Sequence, residues 1–107
     1  TIPLTPGERA RVLIVDDEPR LRQVLTRLMS RDGFLCQDAA DGAAALAALE
    51  AGPVPLVLSD LRMPGMDGLE LLRQIRERWP DTAVVMITAV ADVEVAVSCL
   101  ALGAMDY

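Results

Sequence analysis

Two apolar runs in this chain end in acids. Val54 to Ser59 closes on Asp60, directly ahead of Leu61-Arg62-Met63-Pro64-Gly65-Met66-Asp67-Gly68, and Val12 to Val15 ends in the adjacent pair Asp16 and Asp17. If both runs are neighbouring parallel strands, the three carboxylates meet at the strands' carboxyl ends, where open α/β sheets bind their ligands. Such a cluster offers hard oxygen ligands to a divalent cation, and one acid held in place can act as a nucleophile. The residues alone leave a second reading open. Asp16 and Asp17 would also fit as caps of the helix that follows, and Asp60 as a cap or loop acid, although Asp67 is better placed to cap.

Bringing those acids together requires alternating strands and helices, and the pattern supplies them. Val12 to Val15 is a short β-branched run; Pro19 then opens a helix with Leu21, Val24, Leu25, Leu28 and Met29 at helical spacing, stopped by Asp32-Gly33. Phe34 to Asp38 is a weaker strand, and Asp41 caps an Ala-rich helix that reaches about Glu50 before Gly52-Pro53. Leu56 to Leu58 is the third strand. Beyond Pro64-Gly65, Asp67 and Glu70 stand in capping-box positions and Met66 and Leu71 in staple positions, which predicts a helix from Gly68 to about Arg78. Ala83 to Ile87 is a fourth, continuously apolar strand; Asp92 opens a helix carrying Val93, Val97 and Leu100, and residues 104–107 begin another extended segment. Strict β-α alternation predicts a parallel sheet wound by right-handed crossovers, with helices on both faces.

Composition narrows the function classes. A chain of 107 residues, 52% hydrophobic, supports one domain with one core. Sixteen acids against ten bases leave a net charge of -6, which argues against direct contact with nucleic acid or an anionic membrane and favours a cationic or metal-bearing partner. Every base is Arg. With no His and no Lys, imidazole acid-base chemistry, His metal ligands and phosphohistidine are excluded within the chain. Cys36 and Cys99 lack C-x-x-C spacing and read as buried apolar side chains of a cytoplasmic protein. No apolar run approaches the roughly eighteen residues of a membrane span, so a soluble protein is expected. Residues 1–10, with Pro3, Pro6 and Gly7, read as a flexible lead-in, Trp79 and the methionines as core or helix-end residues, and Arg73, Arg76 and Arg78 as a solvated helix face.

Four blocks, Val15-Asp16-Asp17-Glu18, Ser59 to Gly68, Ile87-Thr88-Ala89 and Leu102 to Tyr107, resemble in order and interval the receiver domains of two-component response regulators. The resemblance runs from Arg11 to the end. It implies a flavodoxin-like, doubly wound α/β sheet of strand order 2-1-3-4-5. It also implies that Asp60 is the phosphoacceptor, taking a phosphoryl group from a sensor histidine kinase or phosphotransfer protein. Mg²⁺ would be held by Asp17, Asp60 and the backbone carbonyl of Arg62, with Asp16 acting through a bound water. Thr88 and Tyr107 would form the two-state switch that signals to a covalently linked output domain. On this reading the chain is a phosphoacceptor able to assist its own phosphorylation and dephosphorylation, and not an enzyme.

The family carries a Lys a few residues beyond the position of Tyr107, followed by a fifth helix. Residues 11–107 are accordingly expected to be a receiver domain lacking most of its last β-α unit, with an uncovered sheet edge that makes a homodimer possible. Two rivals remain at this point. One is a receiver-like interaction module that has lost phosphorylation. The other is a Mg²⁺-dependent phosphatase using an aspartyl phosphate; phosphatases of the haloacid dehalogenase type need a second acid two residues after the nucleophile, where this chain has Arg62.

Overall fold

The computed structural model describes residues 10–60 and 65–87. Among the described residues the expected strands and helices form: β1 (Arg11–Val15), α1 (Pro19–Arg31), β2 (Leu35–Ala39), α2 (Gly42–Ala51), β3 (Leu56–Asp60), α3 (Gly68–Arg78) and β4 (Ala83–Ile87). The strands are parallel in the order β2-β1-β3-β4. This is the expected flavodoxin-like sheet through its fourth strand. The helix expected from Asp92, the segment 104–107 and the lead-in 1–9 lie outside the described residues.

Punctuation residues act where the sequence put them. Asp41 accepts a hydrogen bond from the Ala44 N–H and Asp67 one from the Glu70 N–H, each at 2.8 Å, so both helices start on a side-chain cap. Only half of the capping box forms at α3. The Glu70 carboxylate turns instead to Arg73 at 2.6 Å and to Gln74 at 3.1 Å, and the Arg73 hydrogen bond chiefly lowers its pKa to about 2. Its contribution is therefore present above the ordinary 4.5 and lost as pH falls towards about 2, and water screens it. At the end of α1, Gly33 takes a left-handed φ of 94°, a conformation that favours glycine.

Period-two alternation along the strands divides the core between the two sheet faces. Leu13, Val15, Val57, Val84 and Met86 point to one side, where they pack with Ala45 and Leu49 of α2 and Leu71, Leu72 and Ile75 of α3. Val12, Ile14 and Leu58 point to the other and meet Leu25 and Met29 of α1. Gly42, the first residue of α2, lets the turn ahead of α3 approach it closely. A Cβ there would lie 2.8 Å from the Met66 sulfur and 2.9 Å from its Cβ, too close for either to stay in place.

The stripe of α1 is only partly covered: Leu25 and Met29 pack on the sheet, none of the helix's residues is fully buried, and Val24 and Leu28 are about half exposed. One expectation needs correction. Cys36 is a half-buried free thiol rather than a buried one, because β2 is an edge strand; its sulfur lies 3.4 Å from the Ser30 hydroxyl and 3.5 Å from the Thr26 carbonyl. Cys99 lies outside the described residues. On α3, Arg73 and Arg78 are exposed, as a solvated face requires, and the arginines have partners there: Arg78 pairs with Glu50 at 2.6 Å and stacks on Trp79, and Arg76 donates to the Thr82 carbonyl.

Candidate metal centre

Strand register brings the acids together. Val15 of β1 lies opposite Ser59 of β3, so the residues that follow, Asp16 and Asp60, leave the sheet side by side at its carboxyl end. The Asp16 N–H still donates to the Ala39 carbonyl at 3.1 Å, extending the ladder to β2, while Asp60 is held in register with Ile87 of β4. Asp17 follows on the turn into α1. One carboxylate oxygen from each of Asp16, Asp17 and Asp60 lies within 4.8 Å of the others. Asp16 is buried, Asp60 half-buried and Asp17 exposed, so the cluster opens to solvent on one side.

The helix-cap reading of Asp16 and Asp17 fails on the hydrogen bonds. Glu18 occupies the N-cap of α1, which has no side-chain cap, and Pro19 follows it. The Asp16 carboxylate instead accepts the Glu18 N–H at 2.8 Å, a bond inside the turn. Burial is the largest influence on the Asp16 pKa and raises it. The Glu18 N–H opposes that shift, and the charges of Asp60, Asp17 and Glu18 add to it.

A raised pKa means that the folded state holds the Asp16 proton more tightly than the unfolded chain does. Ionised Asp16 therefore subtracts stability above its folded pKa, and the penalty vanishes below the ordinary 3.8. Asp16→Asn keeps the acceptor for Glu18 and removes the charge. In metal-free buffer at pH 7 it should raise the urea denaturation midpoint, with the advantage shrinking as pH falls towards 3.8. A midpoint below the parent's at pH 7 would contradict this electrostatic account.

The donor set is all oxygen and all carboxylate, which suits a hard divalent cation. Asp16, Asp17 and Asp60 would be the residues to hold such an ion, each offering one carboxylate oxygen. Of the residues singled out in the sequence, Asp16, Asp17 and Asp60 converge; Arg62, Thr88 and Tyr107 lie outside the described residues. Sequence reasoning passed over Arg22. From the first turns of α1 it donates to the Asp16 backbone carbonyl at 2.7 Å and to the Asp38 carboxylate at 3.1 Å. Its only sequence signal was a base between Leu21 and Leu25, on a helix that must face the sheet.

Comparison with known proteins settles the family. The response regulator receiver domain profile matches residues 12–107. The chain belongs to the response regulator receiver family. Among curated relatives, the DNA-binding transcriptional regulator NtrC of Escherichia coli K12 is 44% identical over 100 residues, covering 94% of this chain and 21% of that protein. The receiver chain thus spans about a fifth of the length of such relatives. Among solved structures, the chemotaxis protein CheY4 of Vibrio cholerae superposes with a TM-score of 0.88 at 31% identity, covering 92% of this chain and 84% of that one. The response regulator TrrA of Thermotoga maritima, solved in complex with Mg²⁺ and BeF, does so with a TM-score of 0.83 at 34% identity and the same coverage. Receiver domains of this family serve as phosphoacceptors in two-component systems, and among the described residues no helix is long and apolar enough to cross a membrane.

Proposed function

We propose that Asp60 is the phosphoacceptor of this receiver domain and that Asp16, Asp17 and Asp60, with the backbone carbonyl of Arg62, hold Mg²⁺. The observation that carries the reading is the convergence of the three carboxylates at the carboxyl end of the sheet, with Asp60 at the tip of β3. A carboxylate is a weak nucleophile, and most of what such a transfer needs is placement. β3 holds the backbone of Asp60 in register with Ile87 of β4, one residue beyond its pairing with β1, and the Ser59 hydroxyl donates to the Asp60 carbonyl at 3.0 Å. Bound Mg²⁺ would gather the negative charge of the incoming phosphoryl oxygens.

The donor is the phosphohistidine of a sensor kinase or phosphotransfer protein, since the chain holds no His of its own. An Asp60 oxygen attacks phosphorus as the P–N bond breaks, and the released imidazole nitrogen takes up a proton from solvent. The domain comprises residues 11–107 after a lead-in of 1–10, with Thr88 and Tyr107 as the switch that communicates with a linked output domain. It works in the cytoplasm, and it makes no direct contact with nucleic acid or membrane.

Support for the metal and phosphoryl assignments comes from the donor chemistry and from TrrA, a relative solved with Mg²⁺ and BeF. Incubation with acetyl phosphate or a phosphorylated kinase should give a single phosphoryl adduct by intact mass, dependent on Mg²⁺ and released by alkali. An adduct that forms equally well in chelator, or that withstands alkali, would overturn the proposal.

A further inference from the structure

We infer that Arg22 is a positioning residue for this metal site, acting through the peptide unit that joins Asp16 to Asp17. The inference rests on the metal reading above. Asp16 is pinned at three points. Its N–H donates to the Ala39 carbonyl at the end of β2, and its carboxylate accepts from the Glu18 N–H in the turn. Its carbonyl accepts from the Arg22 guanidinium at 2.7 Å. That carbonyl and the Asp17 nitrogen belong to one rigid plane, so fixing the oxygen fixes the direction in which the chain enters Asp17. Asp17 is exposed, and its aim depends on that plane.

The guanidinium is itself held in place. Its Nε donates to the Asp38 carboxylate at 3.1 Å, so a planar fork spans α1, the β1–α1 turn and the end of β2. The Arg22 side chain is only 18% exposed while Asp38 is 57% exposed, which places the fork under the turn rather than in open water. An ammonium lacks the planar fork that reaches both acceptors. Loss of the guanidinium leaves the Asp16 carbonyl without its donor and the peptide plane free to turn.

Charge and placement give opposite signs, and this makes the inference testable. Removing a cation beside three carboxylates should, by Coulomb's law alone, tighten the binding of Mg²⁺. Removing a positioning group should weaken it. Calorimetric Mg²⁺ titration of the full chain is expected to show Arg22→Met raising Kd about tenfold, the scale on which outer partners of metal ligands act. Arg22→Lys, which keeps the charge and one donor, should raise it by a smaller factor and carries the test if the Met variant does not fold.

A double-mutant cycle completes the experiment. If Arg22 works by aiming Asp17, Arg22→Met in an Asp17→Asn background should change Kd by less than about twofold, because the carboxylate that it aims is gone. Binding by a folded Arg22→Met protein that equals or exceeds the parent's would overturn the inference. So would parental affinity in Arg22→Lys, or an undiminished tenfold loss in the Asp17→Asn background. A parent that binds no Mg²⁺ removes the metal reading, and this inference with it.

Discussion

Asp60→Asn is expected to abolish phosphoryl uptake from acetyl phosphate or a phosphorylated kinase while leaving the fold intact. Asparagine preserves the size of the side chain at the tip of β3 but removes the carboxylate that would form the acyl phosphate. Neither neighbouring acid is placed to take over. Asp16 is 3% exposed, one of its oxygens is committed to the Glu18 N–H, and burial favours its protonated form. Asp17 lies on the turn beyond β1 and lacks the strand pairing that holds Asp60 in register with Ile87. The loss should therefore be complete by intact mass, with an unchanged far-ultraviolet circular dichroism spectrum. Residual adduct in the variant would mean that another residue accepts the group.

Ile75→Ala should be the most damaging single change to the scaffold. Ile75 is fully buried on α3 within the cluster that includes Leu13, Val57, Leu71 and Leu72. Truncation there loses transfer free energy and leaves a cavity, together costing about 2–5 kcal/mol. Domains of this size are stable by about 5–15 kcal/mol, so the denaturation midpoint should fall steeply. Val24→Ala on α1 makes the contrast: Val24 is 50% exposed, and the change should stay within about 0.5 kcal/mol. Urea unfolding of both variants decides between them, and equal losses would mean that the division of the core between the two faces is wrong.

Much of this was legible in the chain because the signals are local. Asp41 and Asp67 cap the helices they were expected to cap, and the apolar runs ending at Val15, Ser59 and Ile87 are strands. The meeting of Asp16, Asp17 and Asp60 followed from parallel pairing alone, since adjacent parallel strands bring their carboxyl ends to one edge. What local pattern could not convey was how much neighbouring surface each element would find. The stripe of α1 has the right period, but the period does not tell which of its residues the sheet covers: Leu25 and Met29 pack there, while Val24 and Leu28 are half exposed. Cys36 was misjudged because the apolar reading of its side chain did not take in the edge position that the 2-1-3-4-5 order gives β2. Arg22 was missed because its partners, Asp16 and Asp38, come together only after the crossover from β1 through α1 to β2 has closed.

Chemical trapping tests the central claim most directly. Borohydride reduces an aspartyl phosphate to homoserine, so treatment of the Mg²⁺-loaded, acetyl phosphate-reacted protein followed by peptide sequencing by mass spectrometry reports which acid carried the group. The account predicts homoserine at position 60 and unmodified aspartate at positions 16 and 17. Homoserine at either of those positions with Asp60 unmodified would contradict it.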